Sequence, residues 1–451
     1  MPAFHLPTAL LPDGWASDVL LSCDESGRIL LAAPATPCPP GADRLAGAAV
    51  PGMVNLHSHA HQRAIAGLTE RAGGGEDSFW TWRDAMYRLV ARLDPDAFQA
   101  VATQLYVEML RAGYTHVAEF HYLHHAPDGY PYADPAELSR RCIAAAAEAG
   151  IGLTLLPVLY CAGGFGGVPP AEGQRRFLNT PDSFLNLIGR LPPCGPMLGF
   201  GVAPHSLRAV PPDALAALLA AVPSGPVHIH VAEQPAEVRD CLAHTGQRPV
   251  AWLLDHAAVD ARWCVIHATH MDPVETAGLA VTGAVAGLCP TTEANLGDGI
   301  PPLAAYQAAG GRFGIGSDSQ VSVDPFEELR WMEYAQRLVG NSRTVLAGGP
   351  GQSTGRTLWD RATRAGAAAC GYAGGTITPG ARCDLVVLDT DHPRLAGRGG
   401  DALLDSAVFG GGSPVVRHVV AGGRCVVRDG RHPLQDAAAA RFHKAVAGLA
   451  A

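Results

Sequence analysis

The chain has 451 residues, of which 48% are hydrophobic and 17% charged, and its net charge is −9. That length accommodates one large domain of about 300 residues and a smaller companion. The negative balance excludes a nucleic-acid groove or a polybasic membrane patch, and any anionic substrate would need arginines placed locally.

Lys444 is the only lysine, which excludes a Schiff base and a carboxylated lysine bridging two metal ions. The 11 cysteines are scattered without a paired framework, as expected of reduced thiols in a cytoplasmic protein. The opening Met1-Pro-Ala-Phe-His-Leu-Pro is not a charged segment followed by an apolar one. No apolar run reaches about 20 residues, so a soluble protein is expected.

In chain order, residues 1–52 read as short strands and turns, including Ser17–Cys23 and Gly27–Ala33, and form the first part of a small β-sandwich. Over 53–365, apolar strands alternate with Ala/Leu-rich helical stretches at 96–112, 134–149, 212–222 and 323–338. Such alternation implies a parallel sheet, and its length favours a closed (β/α)8 TIM-like barrel, an α/β fold. Residues 366–451 return to β-branched runs, Cys383–Leu388, Val415–Val420 and Arg424–Val427, so both chain ends are expected to join in the sandwich. The Gly/Pro-rich stretches 160–170 and 340–355 are expected to be loops over the site.

Four segments within the barrel carry the chemistry. They are Pro51-Gly-Met-Val-Asn-Leu-His57-Ser-His59, Val227-His-Ile-His230-Val-Ala-Glu233, Cys264-Val-Ile-His267 and Gly314-Ile-Gly-Ser-Asp318. Each puts a polar residue at the C-terminal end of an apolar strand, where the strands of a parallel barrel converge. His57 and His59 share one face, because side chains alternate with period two, and can close on one divalent cation. His230 and Asp318 would complete a mixed nitrogen/oxygen site suited to zinc, with one position open for water. His228 also faces inward, but the spacing to Glu233 favours His230.

Glu233, three residues past His230, is placed to take a proton from a metal-bound water and pass it to a leaving group. His267 is expected to orient that water or the reacting group, with His270 as the competing candidate. Asp318 is a second candidate base.

On these residues the chain resembles the amidohydrolase superfamily over nearly its whole length. Pro379-Gly-Ala-Arg-Cys-Asp384-Leu-Val-Val-Leu and Val419-Val-Ala-Gly-Gly-Arg are similar to the small-domain strands of its deaminases. The His-x-x-Glu pair and the lysine-free barrel match the mononuclear deaminase branch.

Further segments narrow the resemblance: His59-Ala-His-Gln62-Arg, Ser78-Phe-Trp-Thr-Trp-Arg83, Glu119-Phe-His-Tyr122, Ala203-Pro-His205-Ser-Leu-Arg208 and Thr291-Thr-Glu-Ala-Asn-Leu-Gly-Asp-Gly. They resemble the formimidoylglutamate deiminases of histidine degradation. The resemblance implies hydrolysis of N-formimidoyl-L-glutamate to N-formyl-L-glutamate and ammonia. It also implies one zinc ion per subunit, attack by zinc-bound water with Glu233 as general acid/base, and a homodimer.

A glutamate derivative carries two carboxylates, for which arginine is the best bidentate partner. Arg83 and Arg208 follow predicted strand ends, while Gln62, Tyr122 and His205 offer neutral donors. The family favours Gln62, Tyr122 and Arg208 for the carboxylates, with Arg83 and His205 assisting. Trp80 and Trp82 read as packing residues. Where the family often carries a histidine, this chain has Gln320; near the substrate it would tune affinity without abolishing metal binding.

The rival readings are a mononuclear deaminase of a purine, pyrimidine or triazine, an imidazolonepropionase, and a non-catalytic scaffold. A flat ring calls for aromatic and amide groups rather than paired arginines, the imidazolonepropionase fits His-Val-Ala-Glu less well, and a scaffold would show decayed ligands.

Overall fold

A computed structural model describes residues 2–70 and 79–450, without the side chains of Phe79, Trp80 and Ala450. Ser78 and the side chain of Trp80 therefore lie outside the description.

The N-terminal segment contributes β1 (Ala3–Leu11), β2 (Gly14–Cys23), β3 (Ile29–Ala33), the two-residue β4 (Asp43–Arg44) and β5 (Ala48–Pro51). The barrel strands are β6 (Met53–Ser58), β7 (Tyr114–His121), β8 (Gly152–Leu159), β9 (Leu198–Phe200), β10 (Ala203–Pro204), β11 (Val227–Val231), β12 (Trp263–His267), β13 (Val285–Leu288) and β14 (Arg312–Ile315). The C-terminal segment adds β15 (Leu385–Leu388), β16 (Val416–Ala421) and β17 (Arg424–Val427).

The parallel sheet runs β10-β8-β7-β6-β14-β13-β12-β11, with β9 also on β8, so β9 and β10 occupy one barrel position in two pieces. Parallel bridges Val202↔Val227 and Ser206↔His230 join that position to β11 and close the ring. Every residue of β6, β7, β8, β11, β12 and β13 is buried, which is why these strands read as continuous runs. Helices sit on the outer face and side chains fill the interior.

The helix Thr354–Ala369 lies behind β6 and β14, and its Trp359 Nε1 donates to Pro51 O at 3.0 Å. A Cβ at Gly366 would lie 2.7 Å from the Val54 Cβ, so only glycine lets this helix approach so closely. The helices Pro95–Ala112, Glu137–Ala149, Pro212–Ala221 and Pro325–Gly340 occupy the four stretches expected to be helical.

Both chain ends meet in one continuous sheet, β17-β16-β15-β5-β1-β2-β3, with β4 on β1. The β15 strand shows why Leu-Val-Val-Leu is apolar at every position. Leu385 and Val387 face the small core with Phe4, Leu21 and Val420, whereas Val386 and Leu388 face the barrel core.

Two features differ from the sequence reading. Helix Gln435–Ala450 ends the described chain against helix Pro95–Ala112 instead of joining the sheet, with Arg441 Nη2 2.7 Å from Glu148 Oε1 beside it. Its Asp-Ala-Ala-Ala-Ala start carries no amphipathic pattern to separate it from a linker. The 340–355 stretch packs against helix Leu303–Ala308 and contributes nothing to the cleft lining, with Glu333 accepting from the Val345 and Leu346 N–H groups at 2.9 Å each. The 160–170 stretch does leave the C-terminal end of β8, where the site lies. No helix among the described residues is long and apolar enough to cross a membrane.

Candidate metal centre and active-site cleft

The ends of β6, β11 and β14 bring four predicted ligands together. His57 Nε2 lies 3.1 Å from His230 Nε2 and 3.4 Å from Asp318 Oδ1, and His59 Nε2 lies 3.3 Å from the same oxygen. A parallel bridge between Ser58 and Asp318 sets the register, and the Asp318 N–H donates to His57 O at 3.0 Å. Gly316 permits this approach, since a Cβ there would lie 2.7 Å from the His57 Cβ. Left-handed backbone occurs at Ala232 (φ 52°), His267 (φ 70°), Asp318 (φ 44°) and Gln320 (φ 65°), all just at or beyond barrel-strand ends. Non-glycine residues adopt this conformation at a cost, and such strain concentrates at functional sites.

The donor set fits a divalent cation. Burial pulls His57 down to about 3 and lowers His59 and His230 as well, so all three rings are neutral. His59 Nδ1 donates to Phe120 O at 2.9 Å and His230 Nδ1 to His205 O at 3.0 Å. A neutral imidazole that donates through Nδ1 presents a lone pair at Nε2. Burial alone would raise the Asp318 carboxyl, but His57, His59 and His267 outweigh it and hold the group well below its ordinary range. Inward lone pairs beside an ionised carboxylate are what zinc and similar ions bind.

Several residues brace this cluster without lining the cleft. Glu119 accepts from Ser58 Oγ at 2.7 Å and from the Ala60 N–H at 2.6 Å, which fixes the loop bearing His59. Asn55 Nδ2 donates to Ser317 Oγ at 2.6 Å, and Ser317 Oγ donates to Gln320 Oε1 at 2.6 Å. Gln320 Nε2 donates to Asp318 O at 2.6 Å and to Ser58 Oγ at 3.1 Å. Gln320 therefore lies behind the ligands as a clasp between the ends of β6 and β14, and does not touch the cleft.

Glu233 and His267 stand next to the cluster. His267 Nε2 is 3.7 Å from Glu233 Oε1 and 3.8 Å from Asp318 Oδ2, and its Nδ1 is 3.3 Å from Glu293 Oε1. Burial would lower His267, but Glu233, Glu293 and Asp318 outweigh it and push the ring up to about 10. Burial pushes the Glu233 carboxyl up to about 7, against the opposing pull of His267. Asp298 is buried within 4.8 Å of both, and burial and then Glu233 push its carboxyl up to about 9.

The competing histidines are engaged elsewhere. His228 Nε2 donates to Ala369 O at 2.8 Å on the barrel floor, and His270 Nε2 to Asp298 O at 2.7 Å. Neither belongs to the cluster of His57, His59 and His230.

The cleft above the cluster is about 570 Å³ including its mouth. All five substrate residues expected from the sequence line it: Gln62, Arg83, Tyr122, His205 and Arg208. Gln62 Nε2 donates to the Tyr122 hydroxyl at 2.9 Å, and His61 Nε2 lies 3.0 Å from the same oxygen. Arg208 has no hydrogen bond or ion pair among the described residues, although it is half-buried. Arg83 sets its guanidinium carbon 5.4 Å from the Tyr87 ring centre. Trp82, expected to be a packing residue, lines the cleft instead.

The sequence reading missed Tyr87, Tyr160 and Phe177 in the lining and Glu119, Glu293 and Asp298 behind it. Tyr160 follows the end of β8 and carried the same strand-end signal as His57.

A formimidoylglutamate deiminase of Pseudomonas aeruginosa is 54% identical over 445 residues, 98% of each chain. A 5-methylthioadenosine/S-adenosylhomocysteine deaminase of Haloarcula marismortui is 27% identical over 92% of this chain and 89% of its own. A crystal structure of an amidohydrolase from Brucella melitensis superposes with a TM-score of 0.94 at 48% identity, covering 100% of both chains. An adenosine deaminase from Xanthomonas campestris with bound zinc, 21% identical over 99% of this chain and 98% of its own with a TM-score of 0.80, shares the fold. The model of the amidohydrolase family matches residues 48–426, a span that includes every barrel strand and the four candidate ligands, and the chain belongs to that family.

Proposed function

We propose that this chain is a metal-dependent deiminase that hydrolyses N-formimidoyl-L-glutamate to N-formyl-L-glutamate and ammonia. The observation that carries the proposal is a cleft with the imidazole–carboxylate cluster, Glu233 and His267 at its base and the Arg208 guanidinium on its wall. The name of the Pseudomonas aeruginosa relative supports the same reading.

Within this proposal, His57, His59, His230 and Asp318 hold one zinc ion per subunit. Such an ion lowers the pKa of a coordinated water and supplies a nucleophile at neutral pH. Glu233 accepts a proton from the attacking water, whose oxygen bonds to the formimidoyl carbon. His267 donates from Nε2 to the oxygen of the tetrahedral centre, and Asp318 serves as a second proton acceptor. Glu233 then returns its proton to the terminal nitrogen as the bond from that nitrogen to carbon breaks. Ammonia departs, and the glutamate nitrogen keeps the formyl group.

Arg208 binds a substrate carboxylate with Gln62 and Tyr122, and Arg83 and His205 assist. The negative charge of Glu233 and Asp318 suits the cationic amidinium of the substrate. The protein acts as a cytoplasmic homodimer in this reading, for which light scattering is the check on subunit number.

A second reading, a deaminase of a flat ring, is favoured by the aromatic lining of Trp82, Tyr87, Tyr122, Tyr160 and Phe177. One assay separates the two. Ammonia release is followed with metal-replete and chelated protein on formimidoylglutamate, guanine, cytosine and S-adenosylhomocysteine. Release from formimidoylglutamate by the metal-replete enzyme alone supports the first reading. Release only from a heterocycle overturns it.

A further inference from the structure

We propose that Glu293 is a positioning residue that fixes the ring of His267 with one N–H outward and the other directed at the reaction centre. The inference rests on the deiminase reading above but assigns a role to a residue outside the cleft lining.

Glu293 lies in the first turn of helix Pro290–Leu296 and is 3% exposed. Its Oε1 is 3.3 Å from His267 Nδ1 and also accepts the Cys289 N–H at 3.0 Å. The same oxygen is the acceptor of the Cys289 N–H, and in the pair with His267 the ring Nδ1 is the donor. With Nδ1 tethered, Nε2 faces Glu233 and Asp318 at 3.7 and 3.8 Å.

The backbone of His267 cannot supply this aim by itself. The residue sits at the last position of β12 with a left-handed φ of 70°, where the regular side-chain alternation of a strand no longer holds. The ring lies nearly parallel to that of His230, at 14° with centroids 5.6 Å apart. Rotation away from Glu293 would break that stacking and turn Nε2 away from the reacting atoms. The arrangement is the base-plus-orienting-carboxylate logic of hydrolase triads applied to a hydrogen-bond donor.

The simpler account is that Glu293 only caps its helix through Cys289. One oxygen serves both bonds, so the two accounts are separated by the His267→Asn background, where a loss from capping persists and a loss from positioning does not. In Glu293→Gln the Cys289 N–H pins the amide oxygen in the place of Oε1, so both bonds survive. In Glu293→Met both are lost with little change of volume.

The measurements are kcat, KM, bound metal and melting temperature for each variant, alone and with His267→Asn. Histidine ¹⁵N spectra, assigned by their loss in His267→Asn, report the Nδ1–H independently of turnover. We expect kcat within about 3-fold of wild type in Glu293→Gln. In Glu293→Met we expect a 10–100-fold loss of kcat, the usual range for a partner of this kind, with KM and metal content retained. The Nδ1–H signal should shift in the Met variant, and the kcat loss should vanish when His267 is already Asn. An equal loss in both backgrounds, or native kcat in Glu293→Met, overturns the proposal. If Glu293→Met does not fold, Glu293→Gln decides, since a loss above 10-fold there overturns the proposal and native kcat with the His267 Nδ1–H signal retained supports it. Absent turnover in the wild type with an intact Nδ1–H signal would instead count against the deiminase reading.

Discussion

Replacing Glu233 with glutamine tests the assigned proton carrier with almost no change of shape. Glu233 is outside the cluster of His57, His59 and His230, and its backbone N–H is held by Glu237 at 3.1 Å, so the variant should load metal normally. What it loses is a carboxyl that burial pushes up to about 7, close to the pH at which a proton carrier works best. General acid–base catalysis contributes roughly 10²–10⁴-fold, or about 3–5 kcal/mol of barrier at 1.36 kcal/mol per decade. The drop in kcat should fall in that range.

The pH dependence follows from which form acts. Glu233 must be ionised to accept the proton, and with a value near 7 activity is present above that pH and lost below it. The ionised fraction is about one-tenth at pH 6 and about one-hundredth at pH 5, so kcat/KM should fall with slope one on the acid side. The glutamine variant should lack that limb. Ammonia release across pH 5–9 with metal content measured in parallel provides the assay. A variant within about 10-fold of wild type, or one that keeps the same acid limb, would show that another group moves the proton.

Arg208→Met removes a charged hydrogen-bonding group worth about 1.5–3 kcal/mol, so KM for formimidoylglutamate should rise about 10–150-fold while bound metal stays constant. An unchanged KM would move the carboxylate clamp elsewhere. Chelation or His57→Ala should abolish turnover and lower the melting temperature, because a cation bound only to the folded state stabilises it by about 2.7 kcal/mol at 100 times its Kd. Equal melting temperatures with and without metal would argue against the cluster as the binding site. Gln320→Leu severs the clasp among Ser317, Asp318 and Ser58 and should cost about 2–4 kcal/mol in denaturant unfolding. A native midpoint would mean the clasp holds nothing.

Much of the candidate site was legible in one dimension because its residues obey a local rule. His57, His59, His230, His267 and Asp318 each end an apolar run, and the period-two alternation of a strand put His57 and His59 on one face. A parallel barrel brings all such ends to one rim, so order along the chain was enough to gather them. Arg208 falls next to a predicted strand end and came within reach by the same argument, whereas Gln62, Tyr122 and His205 were singled out by the resemblance of their segments to the deiminases.

What the sequence could not determine is whatever depends on a meeting between distant segments. Gln320 joins Ser58 across 262 positions, and its place behind the ligands instead of beside the substrate follows from strand register alone. Glu293 reaches His267 and Glu119 holds Ser58, and neither pairing has a local pattern. The terminal helix Gln435–Ala450 was invisible for the same cause, since its partner is helix Pro95–Ala112 and its own alanines fit a linker equally well. Periodicity encodes which face a side chain takes, whereas its neighbour across the core is decided only when the barrel closes.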